Sequence, residues 1–369
     1  MRRILFAGYA PVHFVCFEPI FGRLAARDDL QVEVSGGRAP DLEGRGALTA
    51  GELYRPFDLP SECVVELDEM YDRSYDLVFS AHISGFFPRE DRKRIQVFHG
   101  LSFRNMAIRR DVLIYDNLFV AGPYMMRALT ESKLFRSGSD RLVPTGFVKV
   151  DPLRNGSLDR SRILDEIGFT GDRPVVLYAP TGQKRNSLEG AGPEVIRRLR
   201  ETGEYDILIK IHDHPRDRGE PGRQELMTYL DDHTRMATGF DIVPYLFVAD
   251  LLITDASSVS SEYSLMDRPM VFLDVPDLLR AAITSKKGRF DMDTWGRQAG
   301  TVCRWPDQAV DAVDAVAWSL ANPDAHGDVR RAMAADLFYN PGQATDAAVE
   351  WVLAELGVES SEPAPAGMA

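Results

Sequence analysis

The segment 241–276 constrains the fold most, because it reads as strand, turn, helix and strand without interruption. Residues 251–254 form a short apolar run that is typical of a buried parallel strand. The polar residues Asp255, Ser257 and Ser258 follow at its carboxyl end. A helix that begins there presents free N–H groups and a partial positive charge, which together bind anions such as a diphosphate. Because serines also cap helices, a simple capping role for this pair is the competing interpretation.

The helix predicted after the serines carries an acidic residue. Glu262 and Tyr263 lie about one turn into it, within reach of a ribose or an acceptor. Arg268 and Pro269 end the helix, and residues 270–273 form the next strand. Capping alone does not explain an acidic residue, two serines and an acidic helix face after a buried strand. We therefore predict a site for a nucleoside diphosphate in this unit.

Strand and helix patterns alternate along the chain in two successive series. Short apolar runs lie at 3–7, 31–35, 77–80, 95–98, 118–121 and 141–144, and again at 175–178, 207–211 and 251–254. This alternation predicts the α/β class, with parallel sheets covered by helices and ligands at the carboxyl ends of the strands. The expected architecture is two Rossmann-like domains that face one another across a cleft.

The polar residues 151–159 suit a linker between these domains. We place the N-terminal domain at residues 1–152 and the C-terminal domain at residues 153–356. The second domain includes a closing amphipathic helix at residues 343–356. Residues 357–369 are rich in Pro, Ala, Ser and Glu, and we expect them to be disordered.

Charge and cysteine content limit the classes of partner. The formal net charge of −13 argues against nucleic acid or an anionic membrane as a general partner, because both favour a positive protein field. Basic runs at 92–94 and 109–110 could still dock on lipid, although a solvated helix face is the simpler explanation for each. The three cysteines lie far apart, which suggests a reducing compartment and neither a disulfide framework nor a thiolate metal site.

The N terminus superficially resembles a secretory signal. Tyr9, Pro11 and His13 interrupt its apolar run, however, and no small-residue cleavage site follows. No segment approaches the roughly 18 apolar residues that are needed to span a bilayer. We expect a cytoplasmic protein that contacts lipid at most peripherally, at the inner face of the membrane.

Several short blocks resemble, in the same order, those of the CDP-glycerol glycerophosphotransferases, which build teichoic acid and related polymers. The blocks are His99-Gly100, 145–151 (TGFVKVD), 177–181 (LYAPT), 210–213 (KIHD) and 249–258 (ADLLITDASS). The resemblance implies a GT-B-like architecture with an N-terminal acceptor domain and a C-terminal domain that holds a CDP-linked donor. It further implies transfer of a phosphoglycerol or related phospho-alditol unit to a hydroxyl, without a metal or another cofactor.

Three positions depart from the family pattern. Ala256 stands where the family usually has Tyr, and Glu262 stands where it usually has Asp. His212 and His214 are two candidates for the single histidine of their block. We favour His212, because the order Lys210-Ile211-His212 keeps the family's spacing between the cation and the histidine. The choice between the two histidines stays open.

Histidine chemistry supplies the predicted catalytic residues. An attacking hydroxyl must lose its proton and the departing nucleotide's charge must be neutralised, and histidine near pH 7 can serve either need. We predict His99 as the base, with a helix cap as the alternative, because Gly100 lets a substrate approach the backbone beside it. We predict that His212 stabilises the leaving group.

The remaining assignments follow from the blocks and the turns. The residues expected to contact the donor are Gly146, Lys149, Thr181, Lys210, Asp255, Ser257, Ser258 and Glu262. The residues expected on the acceptor side are His13 and Gly100. The histidines expected at the surface or in loops are His82, His233 and His326.

Three classes of function remain open. The first is the phospho-alditol transferase, with a CDP-linked donor and a hydroxyl acceptor. Lipid-linked compounds are among the acceptors considered. The second is a nucleotide-sugar enzyme on the same scaffold, either a GT-B glycosyltransferase or a UDP-N-acetylglucosamine 2-epimerase, because the strand–Asp-Ser-Ser–helix unit holds any nucleoside diphosphate. The third is a binding protein that has kept the cleft and lost turnover.

Overall fold

Parallel β-strands form the centre of the protein. This computed structural model describes residues 1–37, 48–82, 87–100, 110–212, 220–284 and 296–359. The strands within them are β1 (Arg2–Gly8), β2 (Leu30–Gly36), β3 (Ser74–Tyr75), β4 (Leu77–Ser80), β5 (Glu90–Asp91), β6 (Arg94–Val97), β7 (Asn117–Phe119), β8 (Leu142–Val143), β9 (Val175–Tyr178), β10 (Asp206–Ile209), β11 (Thr234–Met236), β12 (Leu251–Thr254), β13 (Met270–Leu273) and β14 (Thr301–Cys303).

Helices connect these strands. The α-helices in the same residues are α1 (Pro11–Val15), α2 (Glu18–Ala25), α3 (Ala50–Tyr54), α4 (Leu67–Tyr71), α5 (Pro123–Glu131), α6 (Arg160–Ile167), α7 (Gly192–Thr202), α8 (Pro221–Met227), α9 (Val243–Val248), α10 (Val259–Tyr263), α11 (Pro276–Thr284), α12 (Gln308–Ala321), α13 (Gly327–Leu337) and α14 (Ala344–Leu356). Short 3₁₀ helices lie at Arg55–Phe57, Ser61–Cys63, Arg110–Ile114, Val148–Leu153, Ser187–Glu189 and Ser264–Met266. None of the helices in this described part combines the length and the hydropathy that crossing a bilayer requires.

The described strands form two six-stranded sheets and one short pair, and every pairing is parallel. The first sheet has the order β2-β1-β4-β6-β7-β8, and the second has the order β11-β10-β9-β12-β13-β14. The central strands β9 and β12 are buried along their whole length, as expected for strands that helices cover on both faces. The predicted α/β class with two parallel sheets is therefore confirmed.

Strand order decides which loops meet at the edge of each sheet. In the first sheet β1, β4 and β6 are neighbours, so the loops that follow them share one edge. In the second sheet β10, β9 and β12 are neighbours, and the same rule applies to their loops. The carboxyl ends of parallel strands are where such folds place their ligand-binding side chains.

The predicted linker, residues 151–159, begins with a buried and firmly bound side chain. Asp151 is 1% exposed. Its Oδ1 accepts hydrogen bonds from the N–H groups of Gly342 and Ala344, both at 3.1 Å. Its Oδ2 accepts from the N–H and the hydroxyl of Thr345, both at 2.6 Å. Because the first N–H groups of a helix lack partners within the helix, Asp151 supplies the acceptors that α14 needs, and the start of the linker is a fixed junction.

Helix α14 packs on the first sheet. Its residues Ala348 and Val352 share a hydrophobic cluster with Ile4 and Phe6 of β1. The sequence predicts this helix in the second domain, whereas in the structure its apolar face packs in the core of the first. The domain boundary between residues 152 and 153 remains a proposal.

Replacing Asp151 with Asn should destabilise the fold. Asn keeps one accepting oxygen, but its NH2 group replaces the second oxygen of Asp151 and cannot accept from the donors at the start of α14. A buried donor without a partner costs about 1–3 kcal/mol in the free energy of unfolding. Urea unfolding should show this loss for Asp151→Asn and almost none for Asp159→Asn, because Asp159 caps the exposed start of α6 and Asn is an equally good cap. Equal stability of the two variants would contradict the anchoring role of Asp151.

Candidate functional site

Three histidine rings meet at one edge of the first sheet. His13 lies in α1, His82 follows β4 and His99 follows β6. The ring centroids are 5.4 Å apart for His13 and His99, 5.5 Å for His13 and His82, and 5.9 Å for His82 and His99. The ring of Tyr9 packs edge-on against His13 and His82, with centroids 4.4 and 4.6 Å away. The strand order β1-β4-β6 creates this cluster, because it places the three loops side by side.

His99 carries its proton on a defined ring nitrogen. Its Nδ1 lies 2.8 Å from the carbonyl oxygen of Ala81, and because a carbonyl only accepts, Nδ1 is the protonated nitrogen. Loss of solvent around the ring lowers the pKa of His99; the bond to Ala81 opposes this effect, and the charge of Lys149 adds to it. The imidazole is therefore neutral near pH 7, with its lone pair on Nε2. This state suits the predicted base, whose role stays a prediction.

His13 and His82 occupy settings that the sequence did not reveal. His13, predicted on the acceptor side, is 3% exposed, and its Nδ1 accepts a hydrogen bond from the N–H of Tyr9 at 3.3 Å. Burial and the neighbouring rings of His99 and His82 lower the pKa of His13 to about 2. His82 lies in a loop, as predicted, but its ring stacks beside His99. Residue spacing could not reveal this cluster, because it depends on the order of the strands in the sheet.

Asp255 shapes the loop that follows β9. It is 2% exposed; its Oδ1 accepts a hydrogen bond from the N–H of Thr181 at 2.9 Å, and its Oδ2 accepts from the N–H and the hydroxyl of Ser187 at 2.8 Å each. Burial raises the pKa of this carboxyl, and the hydrogen bonds oppose that rise. We predicted Asp255 as a direct donor contact. In the structure its oxygens bind Thr181 and Ser187 of the loop, and the donor contact stays a prediction.

His212 packs against the same loop. A Cβ atom added to Gly182 would lie 2.5 Å from Cγ of His212, so the imidazole rests directly on the glycine backbone. Lys210 is 5% exposed, and its Nζ donates a hydrogen bond to the carbonyl oxygen of Ile211 at 3.2 Å. The structure thus brings His212 and this loop together. The alternative, His214, lies outside the described residues, and the expectation that His99 and His212 share one cleft stays a prediction.

The two sheets approach one another at Gly100 and Ser258. A Cβ atom added to Gly100 would lie 3.8 Å from Oγ of Ser258. Ser258 precedes α10, but its side chain caps none of the helical N–H groups. The Oγ of Ser257 lies 3.4 Å from the nitrogen of Val259, which is long for a cap. Capping therefore does not explain Ser258. Gly100, which follows His99 in the chain, lies beside Ser258, one of the two serines that we predict to bind phosphate.

A buried ion pair connects the segment that follows the first sheet to α10, which follows β12 of the second sheet. Lys149 lies in the 3₁₀ helix Val148–Leu153, and Glu262 lies in α10. The Nζ of Lys149 is 3.0 and 2.8 Å from the two carboxylate oxygens of Glu262, and the side chains are 8% and 2% exposed. Burial lowers the pKa of Lys149, but the surrounding negative charges, that of Glu262 first, together with the hydrogen bond to Glu262 outweigh burial and raise the pKa overall. The two residues that we predict to contact the donor thus bind each other in the structure, and the donor contacts stay predictions.

Asp241 is a candidate that the sequence reasoning did not single out. Its carboxylate accepts a hydrogen bond from the N–H of Val243 at 2.9 Å. Burial raises the pKa of Asp241, the charge of Lys149 opposes the rise, and the charge of Glu262 adds to it. The pKa of Glu18 in α2 is also raised, by loss of solvent and by the charge of Asp241. Asp241 therefore lies near the ion pair, and Glu18 lies near Asp241.

Gly146 has a structural reason to be glycine. Its φ is +102°, and an added Cβ atom would lie 2.3 Å from the carbonyl oxygen of Tyr339 and 2.6 Å from Cβ of Ala344. It therefore belongs to the junction with α14 that Asp151 anchors. This position gives no support to the predicted donor contact.

Substitutions at the ion pair should show strong coupling. Lys149→Met or Glu262→Leu alone leaves one buried charge without its partner, which costs about 3–5 kcal/mol in unfolding free energy. The double variant should lose much less than the sum of the two, because it leaves no charge behind. Urea unfolding of all four proteins measures this coupling. The exposed pair Arg23 and Asp346 is the matched control, with an expected coupling of about 0–1 kcal/mol. Additive losses at the buried pair would refute the coupling.

Comparisons with known sequences agree on one family of enzymes. The sequence profile of the CDP-Glycerol:Poly(glycerophosphate) glycerophosphotransferase family matches residues 64–353. A teichoic acid poly(ribitol-phosphate) polymerase of Bacillus spizizenii is 27% identical over 68% of this chain and 41% of its own length. A teichoic acid glycerol-phosphate primase of Bacillus subtilis is 27% identical over 43% of this chain and 39% of its own length. This chain therefore spans about two-fifths of the length of these relatives.

Solved structures with low sequence identity share the fold. A variant of the wall teichoic acid polymerase TagF aligns with a TM-score of 0.67 and 15% identity, over 96% of this chain and 89% of that one. The Staphylococcus aureus MnaA structure with UDP aligns with a TM-score of 0.61 and 14% identity, over the whole of both chains. These likenesses confirm the GT-B-like architecture. With the profile matching most of its length, the chain belongs to the CDP-glycerol:poly(glycerophosphate) glycerophosphotransferase family.

Proposed function

We propose that this protein transfers a phosphoglycerol or related phospho-alditol unit from a CDP-linked donor to a hydroxyl acceptor. The observation that carries the proposal is the approach of the two sheets at Gly100 and Ser258. It brings a neutral imidazole, that of His99, near the serines that are expected to bind phosphate. Membership of the family supports the choice of donor, because the family is named for transfer from CDP-glycerol.

The transfer step assigns one task to each side of the cleft. The acceptor oxygen forms a bond to the donor phosphorus that carries the alditol, and its proton moves to Nε2 of His99. The bond from that phosphorus to the bridging oxygen breaks, and CMP leaves with the electron pair. His212 as imidazolium and Lys210 stabilise the negative charge that develops on CMP.

Phosphate binding at Ser257 and Ser258 depends on local groups. Helix α10 has five residues, so its dipole is short, and the serine hydroxyls and the backbone N–H groups around them supply most of the binding. Thr181 contributes from the neighbouring loop, which Asp255 holds in place. Glu262 shapes the site through its bond to Lys149.

The acceptor is proposed as a class of hydroxyl compounds and not as one molecule. A hydroxyl of a growing cell-surface polymer or of a lipid-linked primer fits the chemistry, since either supplies the nucleophile. A lipid-linked acceptor would bring the enzyme to the inner face of the membrane as a peripheral protein. Asp241 lies near the ion pair and Glu18 lies near Asp241, and these two carboxyl groups are candidates for hydrogen bonds to the hydroxyls of a polyol.

A nucleotide-sugar enzyme is the second candidate. The fold covers the whole of the MnaA structure that contains UDP, and it also matches a UDP-N-acetylglucosamine 2-epimerase with a TM-score of 0.56. The same strand, turn and helix unit can hold the CDP part of one donor or the UDP part of the other. Release of CMP from CDP-glycerol, compared with release of UDP or UMP from UDP-N-acetylglucosamine, separates the two functions.

Removing both serine hydroxyls should weaken donor binding. Ser257→Ala with Ser258→Ala removes two hydrogen bonds to a charged group, so the affinity for CMP and CDP-glycerol should fall at least about tenfold. The melting temperature should stay within a few degrees, since neither side chain is a strong cap. Ser132→Ala, at the end of α5, is the matched control. Unchanged affinity in a folded double variant would exclude the serines from the site.

CDP-glycerol should release CMP in the presence of a polyol or lipid-linked acceptor, and UDP-N-acetylglucosamine should release neither UDP nor UMP. The reaction should persist in EDTA, because basic side chains and N–H groups can stabilise the leaving charge. Within the described ranges, no three His, Cys, Asp or Glu side chains are grouped to hold a metal ion. Turnover of the UDP-sugar alone would favour the second candidate, and activity that requires added magnesium would refute the metal-independent step.

A further inference from the structure

His82 lies just after β4, in a turn that two buried hydroxyl groups hold in place. The hydroxyl of Tyr115 donates a hydrogen bond to the carbonyl oxygen of His82 at 2.6 Å. The hydroxyl of Ser80 donates to the same oxygen at 2.9 Å, and it accepts from the N–H of His82 at 3.3 Å. Three hydrogen bonds therefore fix the backbone of a histidine that the sequence places in an ordinary loop.

The same turn also holds His99. The carbonyl oxygen of Ala81 accepts the hydrogen bond from Nδ1 of His99 at 2.8 Å. The ring centroids of His82 and His99 are 5.9 Å apart, and the planes of the two rings differ by only 20°. One turn thus sets the position of these two imidazoles relative to each other.

Both imidazoles are accessible at the same edge of the first sheet. His99 is exposed and His82 is partly exposed, whereas His13, the third histidine of the cluster, is 3% exposed. The ring of Tyr9 packs edge-on against that of His82, with the centroids 4.6 Å apart, and supports it from one side. A molecule that reaches His99 at this edge therefore lies beside His82 as well.

The chemistry of an alditol matches two neighbouring imidazoles. A neutral imidazole has one hydrogen-bond donor and one acceptor, and a hydroxyl also donates and accepts. An alditol carries hydroxyls on adjacent carbons, and their oxygens lie closer together than the two rings, whose centroids are 5.9 Å apart. Hydrogen bonds from the two rings can therefore converge on two neighbouring hydroxyls of one acceptor.

We propose that His82 contacts the acceptor directly and forms a hydrogen bond with the hydroxyl next to the attacking one. This contact aligns the attacking oxygen with Nε2 of His99, and it makes the enzyme selective for acceptors that end in two adjacent hydroxyls. The inference rests on the proposed function, in which His99 takes the proton of the attacking hydroxyl. It assigns a binding role to a histidine that the sequence places at the surface or in a loop.

The test compares two synthetic acceptors that differ in one hydroxyl. Both are phosphodiesters with the same lipid tail; one ends in glycerol, and the other ends in propane-1,3-diol, which has no hydroxyl next to the attacking one. With CDP-glycerol as the donor, the wild-type enzyme should use the glycerol-ended acceptor with a kcat/KM about tenfold higher. The reason is that the other acceptor cannot form the hydrogen bond with His82.

Substitutions of His82 then assign this preference to its ring nitrogens. His82→Phe keeps a ring against Tyr9 and loses both nitrogens. It should lower kcat/KM about tenfold for the glycerol-ended acceptor, leave the other acceptor within about twofold, and leave the KM for CDP-glycerol unchanged. His82→Asn and His82→Gln place an amide near Nδ1 and near Nε2, so one of them should restore part of the loss.

The matched control is His326→Phe, because His326 is also partly exposed and packs edge-on against an aromatic ring, that of Trp318. It should change kcat/KM for neither acceptor. An equal loss on both acceptors in His82→Phe would overturn the contact, since a role in packing alone does not depend on the second hydroxyl.

The wild-type enzyme supplies a result that does not depend on the folding of any variant. Equal use of the two acceptors by the wild type would overturn the contact of His82 and leave the proposed function standing. Transfer of phosphoglycerol to neither acceptor would refute the proposed function, and the inference would fall with it. The two failures are therefore distinguished by whether CMP is released.

Discussion

The buried ion pair between Lys149 and Glu262 is the interaction on which the site depends. It binds the segment that follows the first sheet to α10, which follows β12 of the second. The serines precede the same helix, and Ser258 lies where Gly100 approaches it from the first sheet. A buried ion pair adds little net stability, but it penalises every arrangement that separates the charges. Its main effect here is to favour one arrangement of the edge of the first sheet against the edge of the second.

Two other buried acids act in a similar way on the backbone. Asp151 accepts four hydrogen bonds around the start of α14, and Asp255 accepts three from the loop after β9. A carboxylate offers several lone pairs, so one side chain can hold a loop that lacks regular structure. Both residues lie in blocks that resemble the family pattern, and in both the structure shows a scaffolding contact.

The fold could be predicted from the sequence because its signals are local. Apolar runs at 175–178 and 251–254 coincide with β9 and β12, and parallel strands place ligands at their carboxyl ends whatever the side chains are. The candidate site could be located by the same rule. The partners of each side chain could not, because Lys149 meets Glu262 and His82 meets His99 only through strand order and long-range packing. Asp241 had no motif around it and was missed for the same reason.

The anchoring of α14 by Asp151 has a mechanical consequence. The chain passes from the first sheet to the second after the 3₁₀ helix Val148–Leu153, and it returns to the first just before α14. The hydrogen bonds of Asp151 tie these two crossings together. Two sheets that are joined by two neighbouring chain crossings turn relative to one another most easily about the line through those crossings. That line is the natural axis for a change of angle between the two sheets, and the ion pair of Lys149 and Glu262 opposes any such change that separates its charges.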